Sequence, residues 1–185
     1  MLGFYISIAE RQKKMSKWNE LVHWMYGDVR TGRGFWYSHP LYEIRDLDEQ
    51  QLFWVPDQNS LCMLWHAGHI AHRERTHIAK IIQGADGEVI PSQYEVFGVD
   101  WRSTEDIRES IDSVANVMKW IEEVRAESTN FVASLDESDF HRIPPTAHDF
   151  SIGHWIFITV AHGALHIGKI QLLRNMLQGK RDNPC

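Results

Sequence analysis

The chain has 185 residues, 43% of them hydrophobic and 24% charged, with a formal net charge of −6. That is enough for one well-filled domain and short for two, so a single domain over residues 1–185 is expected, and the apolar content excludes a disordered polymer. Basic residues (19) are outnumbered by acidic ones (25) and are dispersed, so no basic block marks the chain as a nucleic-acid binder.

Cys62 and Cys185 are the only cysteines. One lies in an apolar segment and the other is the last residue, so a disulfide framework is not expected and a reducing compartment is. The apolar stretch Leu2 to Ala9 lacks a basic leader and is far shorter than the ~20 residues that cross a bilayer. These features predict a cytoplasmic protein without membrane attachment.

In chain order, Met15 to Val29 has helical periodicity, with Trp18, Leu21, Val22 and Met25 as its buried set. Gly27, Gly32, Gly34 and Pro40 interrupt it, and Thr31 to Ile44 is expected to hold a shorter helix or a broken continuation. Asn59 or Ser60 can cap the next helix, which should run to about Gln83 and stop at Gly84. The stretch Gly84 to Arg102, punctuated by Asp86-Gly87, Pro91 and Gly98, reads as a long loop. Tyr94, Phe97 and Trp101 make it aromatic, unlike a plain solvated linker. Loops of this length in a compact domain are usually functional or mobile.

Ser103 or Thr104 opens a third long helix, with Asp106 placed for a capping box. Ile107, Ile111, Val114, Met118, Ile121, Val124, Phe131 and Leu135 repeat at about the helical period along it. A fourth helix begins near Ser151 and ends before Gly179, with Lys169, Arg174 and Lys180 toward its negative dipole end.

A repeat connects two of these segments. Leu47-Asp48-Glu49-Gln50-Gln51-Leu52-Phe53-Trp54-Val55-Pro56 matches Leu135-Asp136-Glu137-Ser138-Asp139-Phe140-His141-Arg142-Ile143-Pro144 in its Leu, Asp, Glu, apolar, β-branched and Pro positions. Each copy precedes a histidine-bearing helix. The simplest reading is a pair of helix hairpins related by pseudo-symmetry, each giving one ligand-bearing helix.

His162 and His166 are four residues apart in the apolar run Trp155 to Ile170, so they share one helix face. A buried neutral imidazole needs a partner, and ligation of a transition metal provides one. The third ligand must come from His66, His69 or His72, whose i, i+3 spacings do not choose among them. His69 lies on the stripe Cys62, Trp65, His69, Thr76, less charged than the His72-Arg73 edge, and is taken as the ligand. His66 and His72 are then a supporting shell or a rim, and His77 is solvated.

The segment Trp65 to Glu74 resembles the W-x-x-x-H-x-x-x-x-E stretch of DinB-like proteins. The block from His162 to Arg174 is similar to their H-x-x-x-H-x-G-[QK]-I ending, with Lys169 where a glutamine is frequent, and the repeated L-D-E…P lead-ins are also a feature of that superfamily. The resemblance covers roughly residues 15–180. It implies an all-α four-helix bundle, commonly a homodimer; the residues themselves add a broken or extended N-terminal region, richer in glycine than a clean first helix of that family, and a long loop between helices two and three. It also implies a divalent metal on His69, His162 and His166: zinc first, with nickel, iron and manganese also suited to imidazole.

Three protein ligands leave coordination positions open, so metal-dependent activation of a thiol or water is the expected function, and the resemblance to DinB-like proteins implies a thiol-dependent transferase type beside a hydrolase one. The substrate would be a small molecule and the co-substrate a low-molecular-weight thiol, with Tyr94 and Trp101 shaping the mouth. Arg73 or Lys169 can bind a carboxylate, although a solvated charge is the simpler reading of each. Glu74 is expected on the helix surface, and no general base stands out. The alternatives are a non-catalytic metal- or small-ligand-binding stress protein with a structural ion, and a tryptophan-rich interaction module.

Overall fold

The computed structural model describes residues 39–147 and 149–179. The helix expected over Met15–Val29, with Trp18, Leu21, Val22 and Met25, lies outside the described residues, as does most of the glycine-rich break after it. Within the described residues every regular element is helical.

Two short helices, α1 (Leu41–Ile44) and α2 (Glu49–Leu52), lead to α3 (Met63–Arg75), which widens into a π-helix over Thr76–Ile82. A 3-10 helix spans Ser92–Gly98. It is followed by α4 (Thr104–Ser110), α5 (Val114–Ser134), a 3-10 turn over Asp139–His141, and α6 (Ile152–Leu177). α3 packs against α5 and α6, and the 3-10 helix Ser92–Gly98 lies on α3.

The repeated lead-ins build the same cap twice. Asp48 accepts from the Gln51 N–H while Gln51 accepts from the Asp48 N–H. In the second copy Asp136 accepts from the Asp139 N–H and Asp139 from the Asp136 N–H. Each reciprocal pair satisfies two backbone donors and fixes the chain's entry direction. Leu52 and Phe140, equivalent in the repeat, are both buried.

Three boundaries differ from those expected. The helix of the first histidine cluster starts at Met63, after Cys62, and not at Asn59 or Ser60. Asn59 and Ser60 instead bond back to the Asp57 carboxylate, closing a turn before the helix. The third helix is two helices. Ile111 is extended, and Ser113 caps a fresh start by accepting from the Asn116 N–H. Asp112 accepts from the Ser113 N–H and the Asn116 side chain. Short polar side chains that bond nearby backbone favour caps over helix interiors, and here they outweigh the apolar period. The capping box of Ser103 and Asp106 forms as expected. Third, the aromatic loop is ordered by its own 3-10 helix, which buries Tyr94, Val96 and Phe97.

Gly84 ends the π segment with φ +69°, a backbone conformation that glycine adopts without steric cost. α6 starts after the Ser151 cap and ends before Gly179, as expected. Its core side carries Ile152, Ile156, Val160, Ile167, Ile170 and Leu173, while Phe157, Leu165 and Leu172 are exposed. α6 is long and apolar enough to cross a membrane by length and composition, and the same composition suits a core helix with a second apolar face.

A buried ion pair ties α3 to α5. The Glu74 carboxylate lies 2.8 Å from the Arg125 guanidinium, and both side chains are almost fully enclosed. Glu74 is therefore an interior group and not the surface carboxylate expected. Burial pushes its pKa up, against the opposing pull of Arg125 and of the Ser128 hydroxyl.

Candidate metal centre

Contacts between α3 and α6 show that the two helices run in opposite directions. His66 meets His166, His69 packs on His162 and His166, and His77 meets Thr159. Each step forward along α3 is a step back along α6. The i, i+4 pair of α6 thus faces the middle of α3.

This crossing brings His69, His162 and His166 together: one nitrogen from each lies within 4.8 Å of the others. His69 and His166 are buried and His162 is half-buried. Burial lowers the imidazole pKa of His69 to about 4 and that of His166 to about 3. Burial also lowers that of His162, helped by the charges of Arg73 and Lys169. All three rings are neutral at pH 7, the form that ligates metals.

Two neighbours orient the rings. The His69 Nδ1 lies 2.6 Å from the Phe97 carbonyl oxygen. A carbonyl only accepts, so Nδ1 carries the proton and Nε2 keeps the lone pair. Phe97 reaches that position because residue 68 is glycine. A Cβ on Gly68 would lie 2.5 Å from the Phe97 ring. Trp65 stacks on His69 with ring centroids 4.5 Å apart and fixes its plane. His66 Nδ1 and His166 Nδ1 are 2.9 Å apart, so one proton lies between them. If His166 supplies it, the His166 Nε2 lone pair is free for an ion. His66, expected as a supporting residue or a rim, lies against His166. Outer partners of this kind set the tautomer and plane of metal-binding histidines.

His72 does not join the cluster. It is buried on the side of α3 facing the 3-10 helix, 3.3 Å from the Glu95 carboxylate. A Cβ on Gly98 would meet its Nε2.

The three rings open onto a cavity of about 470 Å³, within the range of small-molecule sites. Its lining corrects the expected mouth. Tyr94 is buried against Trp120, with ring centroids 4.6 Å apart, and does not reach it. Trp101 is exposed and absent from the lining, and Asp100 is the loop residue that contributes. Arg73 and Lys169 both line it.

His77 lines the cavity too and is not the solvated residue expected. The Thr159 hydroxyl donates to the Trp155 carbonyl at 2.7 Å and lies 3.0 Å from His77 Nδ1. The hydroxyl has only one proton, so His77 Nδ1 must donate to it, leaving Nε2 unprotonated. Burial lowers the His77 pKa to about 4, so the ring stays neutral. The signal for it in the sequence is the i+4 continuation from His69 through Arg73 to His77.

The fold and site together define an all-helical protein with three converging imidazoles able to hold a metal ion. A family model of the DinB superfamily matches residues 41–170, and the chain belongs to that superfamily. Comparison with curated proteins and with solved structures finds no match.

The donor set suits a divalent transition metal. It offers three neutral nitrogen ligands, two of them with Nδ1 committed to an outer partner, beside open space for further ligands.

Proposed function

We propose that this chain is a metal-dependent enzyme of the DinB four-helix-bundle type, with His69, His162 and His166 holding a divalent transition metal, zinc first. The bound ion would supply Lewis acidity that lowers the pKa of a thiol or water at its open positions. The protein's own groups would do the rest. His66 and the Phe97 carbonyl hold two of the rings, Trp65 keeps His69 in plane, and the neutral His77 offers a basic nitrogen to the same cavity. The reaction type is thiol-dependent transfer or hydrolysis on a small molecule.

One observation carries this reading: the three imidazoles face a cavity of about 470 Å³ and are not sealed in by other side chains. A purely structural ion would have its remaining positions closed by protein. The apolar residues Phe157, Leu165 and Leu172 along the outer side of α6 support a homodimer.

The test pairs elemental analysis of freshly, anaerobically purified protein with turnover of a panel of thiols and electrophiles, with and without added metal. Stoichiometric metal, and activity lost both on chelation and in His162→Ala, is the expected result. Activity indifferent to His162→Ala removes the proposal.

A further inference from the structure

The cavity is bordered by two helical stripes, His69 and Arg73 on α3 with His77 on the π-helix that continues it, and His162, His166 and Lys169 on α6. Because the helices are antiparallel, Arg73 and Lys169 fall on opposite flanks of the imidazoles. Arg73 is one turn past His69 toward the His77 end. Lys169 is about one turn past His166 toward the Trp65 end. By helical rise the two backbones are roughly 13 Å apart along the groove. Helical side chains lean toward the N-terminus of their own helix. In this antiparallel pair that lean carries both cations inward, toward the three rings.

Their charge is not cancelled by protein. Among the described residues neither Arg73 nor Lys169 forms an ion pair. Arg73 is steadied by one bond, from Nη2 to the Gly98 carbonyl at 3.3 Å. A guanidinium has five N–H donors in a planar fork, so most remain available to a second acceptor. Asp100 is the carboxylate in the lining, and it is exposed. Lys169 is equally exposed, so two cations against one anion leave the lining with one net positive charge, and Arg73 is the more enclosed of the two cations.

We infer that the groove selects a ligand bearing a carboxylate, with the acid group held by the Arg73 fork, Lys169 adding charge from the far flank, and the thiol or hydroxyl turned to the three imidazoles. One helical turn between His69 and Arg73 suits a short acid whose donor atom is two or three carbons from the carboxylate. A 3-mercapto acid has that shape. The inference rests on the reading that an ion is held by His69, His162 and His166, and it adds the charge class of what binds beside it.

The test uses full-length protein loaded with cobalt(II), whose d–d bands report the three-histidine site and whose sulfur-to-cobalt charge-transfer band reports a bound thiolate. The protein is titrated with 3-mercaptopropionate, 2-mercaptoethanol and cysteamine. The acid should bind roughly tenfold to a hundredfold more tightly than the neutral thiol, the scale of a hydrogen bond to a charged group. Cysteamine should bind weakest. In Arg73→Gln the d–d bands should persist while the preference for the acid collapses, and Lys169→Gln should reduce it partly. Equal affinity for the three thiols with the cobalt bands intact overturns the inference and leaves the metal reading standing. So does a preference that survives both substitutions. Absence of the d–d bands overturns the metal reading, and the inference with it.

Discussion

His66 and His166 stand with their Nδ1 atoms 2.9 Å apart, so a single proton is shared between a ring that faces the cavity and one that does not. With His66 accepting, His166 presents Nε2 as a lone pair. His66→Ala removes the acceptor and frees the His166 ring to turn. Loss of such an outer partner typically weakens metal affinity about 10–100-fold. Competition with a chromogenic chelator should show that drop with helix content unchanged. Unaltered affinity would mean the pair only fills space.

Acid should weaken the metal-free protein. Burial holds His66 and His166 near pKa 3, and His69 and His77 near 4, against the 6.5 of an ordinary imidazole. Between those values and 6.5 the unfolded chain binds protons that the folded one does not, so stability rises with pH there. The contribution is fully present above about pH 6.5 and is lost as pH falls toward 4. Urea midpoints of metal-free protein should fall between pH 7.5 and 5. Midpoints that stay level across that range contradict the neutral, buried assignment.

Gly68 decides between two opposing effects. In a helix interior, glycine to alanine ordinarily stabilises by about 1 kcal/mol. Here the added methyl would overlap the Phe97 ring, and overpacking costs about 1–3 kcal/mol. We expect Gly68→Ala to destabilise on balance. Because the displaced residue carries the carbonyl that orients His69, metal affinity should fall too. Thermal melts and the same chelator competition measure both.

The Glu74–Arg125 pair allows a double-mutant cycle. Removing one partner strands a buried charge and costs about 3–5 kcal/mol, whereas replacing both with apolar side chains is often near neutral. Arg125→Met alone should therefore be severe, and Glu74→Leu with Arg125→Met much milder, in denaturant unfolding. Additive losses would show that the interior does not treat the two as a unit.

The proposed homodimer has a direct check. Leu165 is 69% exposed on the outer side of α6. Leu165→Glu should convert the dimer to monomer in sedimentation velocity without changing the metal content. A wild-type chain that sediments as a monomer removes the dimer from the proposal.

Much of this was legible in the chain because it is written in helical spacing. The pair His162 and His166, the start of α6 at Ser151 and the capping box of Ser103 and Asp106 depend on residues a few positions apart. His69 was harder to choose. Which of His66, His69 and His72 meets both His162 and His166 is set by how α3 crosses α6, and the Phe97 carbonyl that orients His69 comes from a segment the sequence shows only as an aromatic loop. The break at Asp112-Ser113 was hidden by apolar residues that keep period across it. Glu74 and His77 were misread for one reason: their partners, Arg125 and Thr159, are distant in sequence. A polar residue on a helix reads as solvated until its partner is found.

The three rings come from opposite halves of the chain, so an ion gripped by all of them can grip only the assembled protein. Once the chain opens, the His162–His166 pair is all that stays local. Occupancy then adds to the folding equilibrium by mass action, about 2.7 kcal/mol when free ion exceeds its dissociation constant a hundredfold. Under the metal reading a chelator would act on this protein as a mild denaturant, and the ambient supply of ion would govern how much of it remains intact.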